Sequence, residues 1–120
     1  MASILVVDDD ETLRKGLYDI LLQEGYAVTM AEDGQVALER LKAAPFDLVV
    51  LDIYMPRIDG YKVLKTIKQS HPTVRVIMVT GHADLTQAMK SKRLGADDFI
   101  GKPFDVEDVL MSVRRSLDHA

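Results

Sequence analysis

Five short apolar runs rich in β-branched residues punctuate this chain: Ile4–Val7, Tyr26–Met30, Leu48–Leu51, Val74–Val79 and Phe99–Ile100. Each is too short for a helix, and three of them are unbroken rather than alternating. Unbroken apolar runs suit parallel strands buried on both faces. Between the runs, apolar residues recur at helical spacing. Leu13, Leu17, Ile20 and Leu21 fall on one face of a first helix, which Gly25 stops as a C-cap. Val36, Ala37, Leu38 and Leu41 mark a second helix ending near Pro45, and Val63, Leu64 and Ile67 a third ending before Pro72. Asp84 with Gln87 three residues on predicts an N-cap and capping box for a fourth, closed by Gly95. Val106, Val109, Leu110, Val113 and Leu117 mark the fifth, with Asp105 as N-cap and Arg114 and Arg115 in its last turns, where cations complement the helix dipole.

The pattern is a strict (βα)5 alternation. It predicts an α/β, doubly wound three-layer sandwich: a five-stranded parallel sheet with helices on both faces and right-handed crossovers. A length of 120 residues fits one domain, 1–120. No linker, low-complexity tract or repeat interrupts it, and the fifth helix runs almost to Ala120, so the expectation is a chain spent on a single domain.

Composition narrows the function by exclusion. Cysteine is absent, which removes disulfides, Cys-based zinc sites and thiol catalysis. His71, His82 and His119 show no metal-ligand spacing. Fifteen Lys and Arg against nineteen Asp and Glu leave a net charge of −4, which argues against direct nucleic-acid binding. The apolar runs are too short to span a membrane, and Met1-Ala2-Ser3 leads into a strand-like run without a signal peptide. The expected compartment is the cytoplasm. Fourteen of the nineteen acids are aspartate, several of them at the ends of apolar runs.

Open α/β sheets place their chemistry at the carboxyl ends of the strands. The residues there are Asp8-Asp9-Asp10, Asp52, Thr80-Gly81 and Gly101-Lys102-Pro103. Carboxylates, a hydroxyl and an ammonium converge. Two like charges about 4 Å apart at an effective dielectric of about 20 repel by about 4 kcal/mol, so three carboxylates need compensation. Oxygen ligands without His or Cys select a hard cation, and a small open site suits Mg²⁺. The charges of Asp8, Asp9 and Asp52 are then balanced by one Mg²⁺ and Lys102. Such a site suits phosphoryl transfer, which needs positioning and charge neutralisation, and a carboxylate nucleophile forming an acyl phosphate is one route.

The segments Ile4-Leu5-Val6-Val7-Asp8-Asp9, Leu51-Asp52 followed by Met55-Pro56 and Asp59-Gly60, Val79-Thr80-Gly81, and Gly95-Ala96-Asp97-Asp98-Phe99 through Lys102-Pro103-Phe104 stand in order along the chain, each of the first three reaching a strand end. In this set the chain resembles the receiver domains of two-component response regulators, of the single-domain chemotaxis-regulator kind, over essentially its whole length. The resemblance implies a flavodoxin-like strand order 2-1-3-4-5. It implies Asp52 as phosphoacceptor, Asp8 and Asp9 as the acidic pair with Asp9 the direct metal ligand and Asp8 acting through water, and the Tyr54 backbone carbonyl as a further Mg²⁺ ligand, with Mn²⁺ as a substitute. It implies Lys102 and Thr80 as groups contacting phosphoryl oxygens, Phe99 as the switch aromatic, and a Lys102-Pro103 bond that is commonly cis. The implied mechanism is a two-state one: phosphorylation draws Thr80 inward, Phe99 rotates into the space, and the face formed by the fourth helix, fifth strand and fifth helix changes.

The implied partners are a sensor histidine kinase or histidine phosphotransfer protein, a downstream effector or fused output domain, and a phosphorylation-dependent homodimer. The protein would not be a turnover enzyme, though it would catalyse its own phosphorylation and slow autodephosphorylation. Tyr54 and His82 occupy positions that tune acyl-phosphate lifetime in this family. Both are bulky, which predicts partial shielding from water and a slow loss of phosphate. Asp10 is expected to cap the first helix rather than bind metal.

Taken singly, these residues have plainer readings: a solvated turn for Asp8-Asp9-Asp10, a turn residue for Asp52, a strand-end hydroxyl for Thr80, a surface lysine for Lys102 and a core aromatic for Phe99. Pro56 and Gly60 read as loop geometry, and Lys90, Lys92 and Arg93 as a solvated helix face or a docking patch. Met55, Met78, Met89 and Met111 read as fillers of core or partner surface. A flavin-binding electron carrier would want a phosphate-cradling loop where this chain has acids. A haloacid-type phosphatase would want Asp where Tyr54 stands, and no P-loop string exists. The remaining alternative is a receiver that docks partners independently of phosphorylation.

Overall fold

The structure, a computed structural model, describes residues 1–81 and 84–118. Strands and helices alternate throughout: β1 (Ser3–Val7), α1 (Glu11–Gln23), β2 (Ala27–Ala31), α2 (Gly34–Ala43), β3 (Leu48–Asp52), α3 (Gly60–Ser70), β4 (Arg75–Thr80), α4 (Leu85–Arg93), β5 (Asp98–Gly101) and α5 (Val106–Asp118). All strand pairs are parallel, in the order β2-β1-β3-β4-β5. This is the doubly wound, flavodoxin-like sandwich.

The unbroken apolar runs are explained by burial on both sides. Leu5, Val7, Val49, Leu51, Val76 and Met78 face one core layer, beneath Leu41 of α2 and Val63, Leu64 and Ile67 of α3. Ile4, Val6, Leu48, Val50, Ile77 and Val79 face the other, against Leu17 and Leu21 of α1 and Val109 and Val113 of α5. Neighbours along a strand point to opposite faces, so a strand with a helix layer on each side must be apolar at every position. Truncating one of these leucines or isoleucines to Ala costs about 2–5 kcal/mol.

Much of the aspartate excess is spent on helix starts. The side chains of Asp10, Asp33, Asp59 and Asp84 accept from the backbone N–H of Leu13, Val36, Lys62 and Gln87, each such cap contributing about 1 kcal/mol. Asp10 is therefore the α1 cap, as expected. At α5 the carboxylate that caps is Asp108, whose Oδ2 accepts from Asp105 N–H at 3.0 Å. The predicted box at α4 is half-formed, because the Gln87 side chain turns to Tyr54 and Tyr61. Gly25 follows the α1 C-cap with φ +94, a conformation that favours glycine.

Some boundaries move. Tyr26 lies in the turn before β2 and Val74 in the turn before β4, while β5 extends on both sides of Phe99-Ile100 to Asp98 and Gly101. The helix α4 differs in kind from the others. Ser91 is its one buried residue, and Leu85 and Met89 are exposed. No described helix is long and apolar enough to cross a membrane.

Candidate functional site

Parallel pairing brings the predicted residues to one edge. Val7 pairs with Leu51, so the residues that follow, Asp8 and Asp52, stand side by side at the carboxyl ends of β1 and β3. Thr80, the last residue of β4, pairs with Gly101, and Lys102 follows. Carboxylate oxygens of Asp8, Asp9 and Asp52 lie within 4.8 Å of one another. Asp8 and Asp52 are buried and Asp9 is exposed at the rim. Lys102 Nζ sits 3.4 Å from Asp8 Oδ2 and 3.7 Å from Asp52 Oδ1, a bond across 94 positions of sequence. The peptide bond Lys102-Pro103 is cis.

Burial sets the electrostatics. Loss of solvent, and then the charge of Asp8, push the Asp52 carboxyl up to about 6, against the opposing pull of Lys102 and the Tyr54 backbone N–H. Burial likewise raises Asp8, opposed by the Asp10 N–H, which donates to Asp8 Oδ1 at 2.9 Å, and by Lys102. The site thus holds more negative charge than one ammonium balances. Its all-oxygen donor set fits a hard divalent cation. Asp8 already spends its oxygens on Asp10 N–H and Lys102, which leaves the exposed Asp9 freer to serve as a direct ligand.

Thr80 is fully buried. Met78 pairs with Phe99 and Thr80 with Gly101, so Thr80 and Phe99 lie on the same face of adjacent strands, one pleat period apart. Phe99 is partly buried against the layer under α2 and α3. Tyr54 is half-exposed, and its hydroxyl accepts a hydrogen bond from Gln87 Nε2 of α4. His82 and His119 lie outside the described residues, and His71 is the C-cap of α3, away from the acids in sequence and fold.

Three contributors escaped the sequence reading. Gly60 is more than loop geometry: a Cβ on it would meet Asp52 O at 2.3 Å and Ile53 Cα at 2.6 Å. Arg14, one turn into α1, donates from its guanidinium to the Asp8 carbonyl at 2.8 Å; its position four residues after the Asp10 cap was a usable signal. Gln87, which the sequence marks only as the far half of a capping box, turns its amide to Tyr54 and Tyr61. The basic cluster on α4 is also less free than expected, since Lys90 Nζ stacks over the Tyr61 ring, 4.2 Å from its centroid. The methionines divide, Met55 and Met78 in the core and Met89 and Met111 at the surface. Asp97 and Asp98 are structural. Asp97 Oδ2 accepts from Val76 N–H at 2.8 Å and Lys68 at 3.0 Å, and Asp98 Oδ2 from Ser112 at 2.6 Å and Arg115 at 2.8 Å.

The family model of the response regulator receiver domain matches residues 4–114. Among curated proteins, the chain is 40% identical over 116 residues to the DNA-binding transcriptional regulator NtrC of Escherichia coli, covering 97% of this chain and 25% of NtrC. It is 44% identical over 104 residues to response regulator RR06 of Streptococcus pneumoniae, covering 87% of this chain and 48% of RR06. The chain therefore spans about a quarter to a half of these relatives. Among solved structures, the receiver domain of NtrX from Brucella abortus superposes with TM-score 0.93 at 37% identity, and the chemotaxis protein CheY4 of Vibrio cholerae with TM-score 0.93 at 30%. Each match covers 98% of this chain and 99% of the other.

Proposed function

Since the chain belongs to the response regulator receiver domains, we propose that it is the phosphoacceptor of a two-component phosphorelay, with Asp52 as the phosphorylated residue. The observation that carries this reading is the placement of Lys102 Nζ 3.7 Å from Asp52 and 3.4 Å from Asp8 at a carboxylate cluster in which Asp8 and Asp52 are buried and Asp9 is exposed.

In the forward step an Asp52 carboxylate oxygen attacks the phosphorus of a phosphohistidine. The P–N bond breaks, its electron pair returns to the imidazole, and an aspartyl phosphate forms. Asp52 must be ionised to attack, and Lys102 lies close enough to favour that form and then to neutralise phosphoryl oxygens. Asp8, Asp9 and Asp52, with the Tyr54 backbone carbonyl, would hold Mg²⁺ or Mn²⁺. When bound, that ion supplies positive charge beside the phosphoryl oxygens and relieves the repulsion among the carboxylates.

The Thr80 hydroxyl would then hydrogen-bond a phosphoryl oxygen. Movement of Thr80 frees volume on the face it shares with Phe99, and the Phe99 ring rotates to fill it. This biases the surface made by α4, β5 and α5. Moving the inactive fraction from 99% to 1% needs about 5.5 kcal/mol of differential stabilisation, within reach of a few charge-assisted hydrogen bonds. The phosphoryl source is a sensor histidine kinase or histidine phosphotransfer protein. The reader is an effector or fused output domain, or a second copy in a phosphorylation-dependent dimer. We take residues 1–120 as one receiver domain acting in the cytoplasm. It catalyses its own phosphorylation and slow dephosphorylation, with Tyr54 as a partial shield, and it turns over no other substrate.

The test is labelling by a small acyl phosphate with Mg²⁺. Label on the wild type, absent from Asp52→Asn and absent in excess chelator, is the expected result. Label that persists in either control refutes the assignment. A wild type that takes no label yet binds its partner favours the phosphorylation-independent docking receiver.

A further inference from the structure

Gln87 connects the loop that follows Asp52 to the least anchored helix. Its Nε2 donates to the Tyr54 hydroxyl, and its Oε1 accepts from the Tyr61 hydroxyl of α3 at 3.5 Å. Lys90, three residues on, stacks over the Tyr61 ring. The β3–α3 loop, α3 and α4 are thereby joined by one amide and two phenols. Tyr54 stands two residues after Asp52, and its ring is half-exposed. An aromatic side chain this exposed has several rotamers open to it, unless its far end is held. The hold is Gln87.

The helix that supplies Gln87 has little apolar anchorage of its own. Ser91 is its one buried residue, while Leu85 is 75% and Met89 52% exposed. Polar links to α3 and to the β3–α3 loop therefore carry an unusual share of its placement. Gln87 is also the residue whose backbone N–H the Asp84 cap receives, so its main chain is fixed at the helix start while its side chain reaches out.

We infer that Gln87 is a positioning residue for the acyl-phosphate chemistry at Asp52, holding the Tyr54 phenol in place and so setting how fast water reaches the phosphoryl group. The inference rests on Asp52 as the phosphorylated residue. In the hydrolysis concerned, water attacks phosphorus and the P–O bond to Asp52 breaks. The bonding pair returns to the carboxylate, and dihydrogen phosphate leaves with both protons of the water. Gln87 touches none of these atoms and acts through the Tyr54 ring.

The experiment follows aspartyl-phosphate half-life after labelling with a small acyl phosphate and Mg²⁺ and removal of the donor. Gln87→Leu, which keeps bulk and loses both hydrogen bonds, shortens the half-life by about three- to tenfold, the range that one lost neutral hydrogen bond can yield. Tyr54→Phe shortens it to a similar extent, and the double variant shortens it no further, because both remove one restraint. Gln87→Glu retains the wild-type half-life, since a carboxylate accepts from both phenols, whereas a role limited to helix stability would show no such rescue. Thermal unfolding of each variant separates lost fold from lost restraint. An unchanged or longer half-life in Gln87→Leu overturns the inference. So does additivity with Tyr54→Phe, or failure of the Glu variant to rescue. A wild type that takes no label removes the phosphoacceptor reading itself, a different failure from a labelled wild type with an indifferent Gln87.

Discussion

Gly60 lies so close beneath Asp52 that a Cβ on it would sit 2.3 Å from the Asp52 carbonyl oxygen. Its N–H donates to Ile53 O at 2.6 Å, and the Asp59 before it caps α3. The start of α3 is thus seated on the backbone that carries Asp52, and the obstruction is main chain, which cannot swing aside as a flexible side chain can. Gly60→Ala is expected to destabilise the fold by about 1–3 kcal/mol through overpacking. It should also slow labelling of Asp52 by displacing the Asp52–Tyr54 backbone. Urea unfolding and a labelling time course check this, and wild-type behaviour in both would show that the loop yields freely.

The buried carboxyl of Asp52 makes stability pH-dependent in the metal-free protein. Its value rises from 3.8 to about 6 on folding, through burial first and Asp8 second. Between those values the folded state holds a proton that the unfolded chain has released, so this contribution to stability falls as pH rises through the interval. Asp52→Asn removes the cost of ionising it and is expected to raise stability at about pH 7 by up to about 3 kcal/mol, with the gain vanishing toward about pH 4. Asp98 has the opposite sign. Burial pushes it up, but Ser112, the Phe99 N–H and Arg115 hold it below 3.8, so its contribution is present above that value and lost as pH falls further. Denaturation at two pH values in chelator tests the Asp52 claim, and equal stability of wild type and Asn variant near neutrality would refute it.

Lys102 and a bound cation would compete for the same carboxylates. Removing the ammonium 3.4 Å from Asp8 and 3.7 Å from Asp52 leaves those charges to the cation alone. Lys102→Ala is therefore expected to bind Mg²⁺ more tightly, by about tenfold, equivalent to about 1.4 kcal/mol. It should nonetheless lose the change that we propose phosphorylation brings about at α4, β5 and α5. Calorimetric titration reads the first and partner binding the second. Weaker cation binding by the variant would count against the proposed competition.

Within α1, Gly16 is a helical glycine with nothing within 4 Å of where a Cβ would be. Gly16→Ala should stabilise the protein by about 0.5–1 kcal/mol through backbone entropy alone. It lines an apolar groove with Leu13, Ile20, Lys102 and Phe104. A rise in the urea midpoint with labelling by a small donor unchanged is the expected result; a fall in midpoint would mean that the open space is needed.

How much of this was legible in the chain depends on the distance over which each signal acts. The strands and helices were readable because apolar periodicity is local. The convergence of Asp8, Asp52, Thr80 and Lys102 followed because parallel strands deliver their carboxyl ends to one edge whatever their order. The order itself, with β1 between β2 and β3, came from a resemblance and not from alternation.

Tertiary structure alone decided the rest, because the partners lie far apart in sequence and carry no periodic mark. Gln87 has the sequence signature of a capping box, yet its amide reaches Tyr54 across 33 positions. Gly60 has the signature of a turn, yet its missing side chain is what lets α3 rest against the Asp52 backbone. Asp97 and Asp98 stand in the sequence only as part of the Gly95–Phe99 segment, yet their carboxylates accept from Val76, Ser112 and Arg115. The sequence by itself determined which chemical groups would meet at the sheet edge. Packing in three dimensions decided which of them are buried, which lie beside the Lys102 ammonium, and what holds them there, since burial and side-chain contact do not exist until the layers close.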